Sequence, residues 1–227
     1  STLFPYTTLF RSVMDSYLLT TNMNKKIYAK KVIIASHYPF LNKPGMYFSR
    51  IYVERSYIIA VKAKEKFPGG MYISAEEPSR SFRGLDIEDG ELILVVGENH
   101  KTGQSQDTSK HYSRLLDTAN ELFIVEDVPY WWSAQDCITV DEIPYIGQFN
   151  PDYKNLYIAT GFKKWGMTHS MVASILISDL ILKGKSNWQE VYDPSRKTIM
   201  SSSKNFIVEN ANVASNLIEG KLSKGEK

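Results

Sequence analysis

The segment Asn155–Gly184 narrows the fold more than any other stretch of the chain. Leu156–Thr160 (LYIAT) is a short apolar run of strand length. Gly161–Gly166 follows as a loop bracketed by glycines, and Thr168–Lys183 then carries apolar residues at helical spacing. Met171, Val172, Ile175, Leu176, Ile181 and Leu182 form one broad apolar face. Thr168 suits the helix N-cap, and Gly184 the C-terminal stop. A buried strand that feeds a helix through a glycine loop is a building block of α/β architecture. It gathers unpaired backbone N–H groups and the positive end of a helix dipole at one point. Physically that is an anion or polar-ligand site at the carboxyl edge of a sheet, with Phe162, Trp165 and Met167 available as an apolar wall. The alternative is a plain strand–helix connection that binds nothing.

The rest of the chain alternates two textures. Ser16–Thr21 and Ile27–Ala35 read as strands around the turn Asn22–Asn24, and the apolar run Val32–Ala35 suits a strand buried on both faces of a parallel sheet. Met46–Val53, Ser56–Ala63, Met71–Ala75 and Glu91–Gly97 are β-rich runs separated by Pro68-Gly69-Gly70 and Glu88-Asp89-Gly90, the pattern of an antiparallel sheet. Asp107–Glu121 reads as a helix with Tyr112, Leu115, Leu116 and Ala119 on one side, and Leu122–Trp132 as a strand after it. Ser201–Ser203 resembles a linker before a last helical segment at Ala211–Leu222. The order implies a discontinuous nucleotide-binding domain interrupted by a sheet domain. Ser1–Ser12 (STLFPYTTLFRS) is set aside as artefactual, because Thr2–Ser12 resembles the conceptual translation of a widely used sequencing adapter; on that reading the natural start lies upstream of Val13. A natural N-terminal strand is the alternative reading.

Charge and cysteine content exclude several functions. Lys plus Arg is 27 against 25 for Asp plus Glu, a net +2, so nothing electrostatic favours nucleic acid or an anionic membrane. The one cysteine, Cys137, supports neither a disulfide framework nor a site needing two thiolates, and the reducing cytoplasm is the default compartment. His37, His100, His111 and His169 lack metal-type spacing, so no metal site is expected. Gly161-x4-Gly166-Met167-Thr168 falls one residue short of a phosphate loop, because Met167 stands where the loop's lysine belongs. A P-loop-like nucleotide-binding protein is therefore a poor fit, though it stays open as an alternative.

Longer segments carry a family likeness. ATGFKKWGMTHSMVASILISDLI with the upstream DCITVDEIPYIG resembles the C-terminal flavin-contacting segment of FAD-dependent oxidoreductases related to D-amino acid oxidase and glycine oxidase. AKKVIIASHYPF, PGMYFSRIYVERSYIIAV, EEPSRSFR and GENHKTG are similar to a branch of that family that often carries an appended Rieske [2Fe–2S] domain. The resemblance implies an α/β fold plus mixed β-sheet. A partial FAD/NAD(P)-binding (Rossmann-like) domain at 13–40 and 136–195 is interrupted by an antiparallel-sheet substrate domain at 41–135, with a polar linker and C-terminal helix at 196–227. It implies FAD as cofactor, a small-molecule amine or amino-acid substrate, and a Rieske domain following in the full-length chain.

The same resemblance assigns Gly161, Phe162, Lys163, Trp165, Gly166, Met167 and Thr168 to the flavin ring. Asp141, Pro144 and Gly147 match the turn before the strand, and Ala35 and Ser36 the strand end that passes the cofactor. His100 and Lys101 are the candidates for proton or oxygen chemistry over the flavin. Arg50 and Arg83, with Arg80 behind them, are candidates to clamp a substrate carboxylate. The sequence departs from the family in having no G-x-G-x-x-G fingerprint for the ADP half of FAD and no Cys/His pairs for a Rieske cluster. The chain therefore resembles a fragment that keeps the flavin-ring and substrate halves, and stable FAD binding by it alone is not expected. The remaining readings are a non-catalytic remnant and the nucleotide binder.

Overall fold

A computed structural model describes residues 7–13, 16–42 and 45–196. The chain divides into two compact units, residues 1–52 with 137–227 and residues 53–136. The expected linker and helix beyond residue 196 lie outside the described residues.

In the first unit, β1 (Thr7–Val13), β2 (Ser16–Thr21) and β3 (Lys26–Ala29) form an antiparallel three-stranded sheet. Residues 7–12 of the run set aside as artefactual thus pair with β2. Ile27–Ala35 is not one strand. It breaks at Lys30-Lys31, and β4 (Val32–Ile34) joins a different sheet. That second sheet orders as β10 (Tyr145–Gln148), β11 (Leu156–Thr160), β4. β11 is parallel to β4 and antiparallel to β10, so the sheet is mixed. All five residues of β11 are buried, as its apolar run demands. β4 departs from the expected double burial: Ile34 is buried, Ile33 is 49% exposed.

α2 (Gly166–Lys183) packs Ala173, Leu176 and Ile177 onto Ile146, Tyr157 and Ala159. The buried face is narrower than the sequence suggests, because Met171, Ile175 and Leu182 are exposed. The helix ends on Gly184 in the left-handed region (φ +74°), whose N–H donates to the Leu180 carbonyl, the expected glycine stop.

The second unit is an antiparallel sheet ordered β6 (Met71–Ile73), β7 (Arg80–Ile87), β8 (Gly90–Lys101), β5 (Ile51–Ala63), β9 (Val125–Thr139). The expected strand Met46–Val53 is instead a 3₁₀ turn at Tyr47–Ser49 followed by β5. β7 was not anticipated as a strand, since RSFRGLDI mixes charge into both faces. α1 (Ser109–Leu122) covers the sheet as its periodicity predicts, with Leu115 and Ala119 buried against Tyr57, Ile59, Val61, Ile93 and Val95.

Candidate functional site

The parallel register sets Leu156 against Val32 and Ile158 against Ile34. The carboxyl ends of both strands, Ala35-Ser36 and Thr160-Gly161, therefore share one sheet edge. The Thr160 hydroxyl donates to the His37 carbonyl across that edge, and His37 sits at φ +66°. Ser36 Oγ turns back to the Tyr38 carbonyl at 2.9 Å.

Gly161 turns the chain at φ +77°, where a Cβ would lie 2.4 Å from Thr139 Cγ2. Both the backbone region and the space require glycine there. Phe162 bridges Ile138, and the Lys163 N–H donates to the Cys137 carbonyl at 3.0 Å. The Trp165 N–H donates to the Phe162 carbonyl at 3.0 Å, while Lys163 Nζ meets Glu142 Oε2 at 3.1 Å. Two of the loop's amides are thus taken up internally.

The helix start supplies the rest. α2 begins two residues before the expected cap: Trp165, not Thr168, holds the N-cap position and makes no side-chain cap bond. The first intrahelical bond runs from the His169 N–H to the Trp165 carbonyl at 2.9 Å. The amides of Gly166, Met167 and Thr168 precede it, so the helix offers them no acceptor. A Cβ at Gly166 would meet nothing within 4 Å. Trp165 is 64% and Met167 86% exposed. Three dipole-end amides, an open space and two exposed apolar side chains suit a planar heterocycle able to hold negative charge.

Of the other sequence candidates, Gly147 and Arg50 belong to the first unit, and Arg83, His100 and Lys101 to the second. Gly147, expected in the turn before Leu156–Thr160, is inside β10, the strand that precedes and pairs with β11, and its missing Cβ faces Pro194 Cδ at 3.2 Å. It pairs with Ile158, two residues short of Thr160 and the sheet edge. Arg50 is 8% exposed. Its guanidinium donates to the carbonyls of Pro194 (2.6 Å) and Gly45 (3.2 Å) and sits 4.2 Å above the Tyr145 ring. A carboxylate clamp needs terminal N–H groups facing a ligand, and both terminal nitrogens of Arg50 are engaged on the unit's own backbone, while its buried Nε has no hydrogen-bond partner. Arg83 is exposed on β7.

His100 and Lys101 end β8 rather than following it. The His100 ring is held at both nitrogens, by Tyr57 OH (2.9 Å) and the Lys101 carbonyl (2.7 Å), and stacks near Tyr57 and His111. Among the described residues no group of three His, Cys, Asp or Glu could hold a metal.

Two charged clusters were missed from sequence. Glu98 receives hydrogen bonds from Arg80, His111 (2.9 Å) and Arg114 (3.0 Å). Burial pushes its carboxyl up, but those bonds together hold it below the usual carboxylate range. Arg196 grips Asp141 with two bonds of 2.7 Å. Neither leaves a sequence signal, because the partners are up to 55 residues apart and show no motif spacing.

The protein-family model described as FAD dependent oxidoreductase matches residues 10–180. YhfW of Bacillus subtilis, whose name describes a Rieske 2Fe-2S iron-sulfur protein, is 41% identical over 206 residues, covering 91% of this chain and 40% of YhfW. Glycine oxidase from Geobacillus kaustophilus superposes with a TM-score of 0.62 at 19% identity, over 84% of this chain and 52% of the oxidase. L-proline dehydrogenase from P. horikoshii gives 0.62 at 20% identity, over 84% and 53%. The chain thus spans about half the length of these solved relatives and less of the curated one. The solved structures establish the likeness of fold.

Proposed function

Because this chain belongs to the family of FAD dependent oxidoreductases, we propose that it supplies the flavin-ring side and the substrate-side sheet of an enzyme that oxidises an amine or amino acid. The observation that carries this reading is the open helix start: the Gly166, Met167 and Thr168 amides with no helical acceptor, beside exposed Trp165 and Met167. These residues fit an isoalloxazine ring, since helix-end amides stabilise negative charge and the two side chains supply an apolar wall.

Bound FAD supplies the acceptor for a hydride from a substrate C–H beside nitrogen. The chain's own residues bind, orient and polarise. Gly166–Thr168 would present the positive helix end to the ring, Gly161 and Phe162 would shape the loop leading into that helix, and Ala35 and Ser36 would form the neighbouring strand end. Lys163 is tied to Glu142 and acts on the loop's shape. Of the two arginine candidates for a substrate carboxylate, Arg83 is the exposed one, whereas Arg50 is buried with both terminal nitrogens on structural carbonyls.

The ADP half of FAD needs a phosphate-binding turn that this sequence lacks, so the chain alone holds the cofactor weakly. The name of YhfW supports a Rieske [2Fe–2S] domain as electron partner in a longer protein, since Cys137 alone cannot ligate a cluster. A cytoplasmic location suits that single buried thiol. Among the described residues no helix is long and apolar enough to cross a membrane. The test is to purify the chain extended to the length of its relatives and record its visible spectrum. Bound-flavin absorbance that bleaches on adding an amine or amino acid is expected; a colourless, well-folded protein that ignores added FAD overturns the proposal.

A further inference from the structure

The turn Val140–Pro144 lies directly under the Gly161 loop. A Cβ on Gly161 would touch Thr139 Cγ2 at 2.4 Å and lie 3.8 Å from Pro144 Cα. Thr139 Oγ1 donates to the Ile143 carbonyl (2.8 Å), the Glu142 N–H donates to the Thr139 carbonyl (3.0 Å), and Glu142 receives Lys163 Nζ. Whatever fixes this turn fixes the loop's height.

Arg196 fixes it. Its Nε and one terminal nitrogen reach the two Asp141 oxygens at 2.7 Å each. That same nitrogen also donates to the Ile143 carbonyl (2.5 Å), and the other donates to the carbonyls of Pro144 (3.1 Å) and Asp193 (3.2 Å). All five guanidinium N–H donors are thereby engaged. The pair is buried, with side chains 7% and 5% exposed, and the Arg196 guanidinium also lies 4.2 Å from the Tyr145 ring. A bare charge pair could be held by lysine; a planar fork spread over one carboxylate and three carbonyls cannot.

We propose that Arg196 and Asp141 are positioning residues: through the turn Val140–Pro144 and Thr139 they set the Gly161 loop at the sheet edge. Their consequence for flavin rests on the function proposed above, whereas their hold on the loop does not. A pair serving general stability alone would loosen the whole unit on removal. A positioning pair loosens the loop first, because Gly161, Phe162 and Lys163 rest on residues 137–144, while β11 rests on β10 and β4.

The experiment is residue-resolved amide exchange on the 227-residue chain carrying Arg196→Lys, Asp141→Asn or Thr139→Ser. The last removes only the methyl under Gly161 and keeps the Ile143 hydrogen bond, so it remains informative if the ion-pair variants fold poorly. Lys163 and Trp165 amides, both hydrogen-bonded in the loop, are expected to lose at least tenfold protection while β11 amides change less than twofold. Equal loss across β11 and the loop, or no loss in the loop, overturns the proposal. Flavin titration of the same variants in the extended protein separates the two claims. Weaker flavin binding alongside loop-selective exchange supports both. Loop-selective exchange in a protein whose wild type takes no flavin supports the positioning role and sinks the functional reading.

Discussion

Gly161 and Gly166 sit five positions apart in one loop, yet they are required for different reasons. Gly161 combines φ +77° with a Thr139 methyl 2.4 Å from any added Cβ, so Gly161→Ala is strained in both backbone and packing. We expect a loss of at least about 2 kcal/mol, read as a lower Tm. At Gly166 the space is empty and the residue opens a helix, so Gly166→Ala should leave Tm unchanged or slightly higher. The methyl is added at the residue carrying the first of the open amides, and flavin affinity in the extended protein should fall about tenfold, the equivalent of about 1.4 kcal/mol. Equal Tm losses for both variants would contradict this division. Arg50 teaches the converse lesson. Its residue type suggested a ligand clamp, and only the coordinates show its terminal nitrogens engaged on backbone carbonyls 5 and 144 residues away. Arg50→Met should therefore lower Tm by an amount worth about 2–3 kcal/mol and leave substrate KM unmoved in whatever folded enzyme remains.

Elements were legible where one physical signal dominated. β11 is a run of apolar residues and is wholly buried; α1 buries the face its periodicity marks. The rest failed where tertiary pairing overrode local pattern. Lys30-Lys31 splits what hydrophobicity reads as one strand, because β3 pairs with β2 and β4 with β11. The start of α2 was misplaced because Trp165 caps by backbone alone, and a cap without a side-chain bond has no sequence signature. A bulge in β8 was equally invisible. Arg55 faces His100 and Tyr57 faces Gly97, so Glu98 and Asn99 together oppose Ser56, with Glu98 at φ +57°. The bulge aims Glu98 at Arg80, His111 and Arg114. Because the folded carboxyl titrates below its unfolded value, its contribution to stability is present above the unfolded pKa and lost as pH falls through the folded one. Tm of the chain should therefore decline on acidification through and below the ordinary carboxylate range. Glu98→Gln should lower Tm at neutral pH by removing one partner from the buried Arg80, a cost of about 3 kcal/mol, and flatten part of the acid decline. An unchanged acid limb in the variant would place the titration elsewhere.

At the scale of the molecule, the sequence lacks one thing the family's chemistry uses and keeps another. It lacks the G-x-G-x-x-G turn that grips the ADP pyrophosphate, and it keeps the helix start suited to the ring. Affinity should divide along the same line. Lacking the pyrophosphate turn, the 227-residue chain should bind FAD, FMN and riboflavin weakly and within about threefold of one another, since ring contacts are common to all three. Extension to the length of its relatives should favour FAD over FMN by at least about a hundredfold, or about 2.7 kcal/mol, as the adenosine and second phosphate find partners. Fluorescence quenching titrations with the three flavins measure both ratios. A strong preference for FAD in the short chain would show that some other part of it grips the adenine end, and the division between ring side and ADP side would then be wrong. Binding of all three that Gly166→Ala leaves untouched would move the ring away from the start of α2.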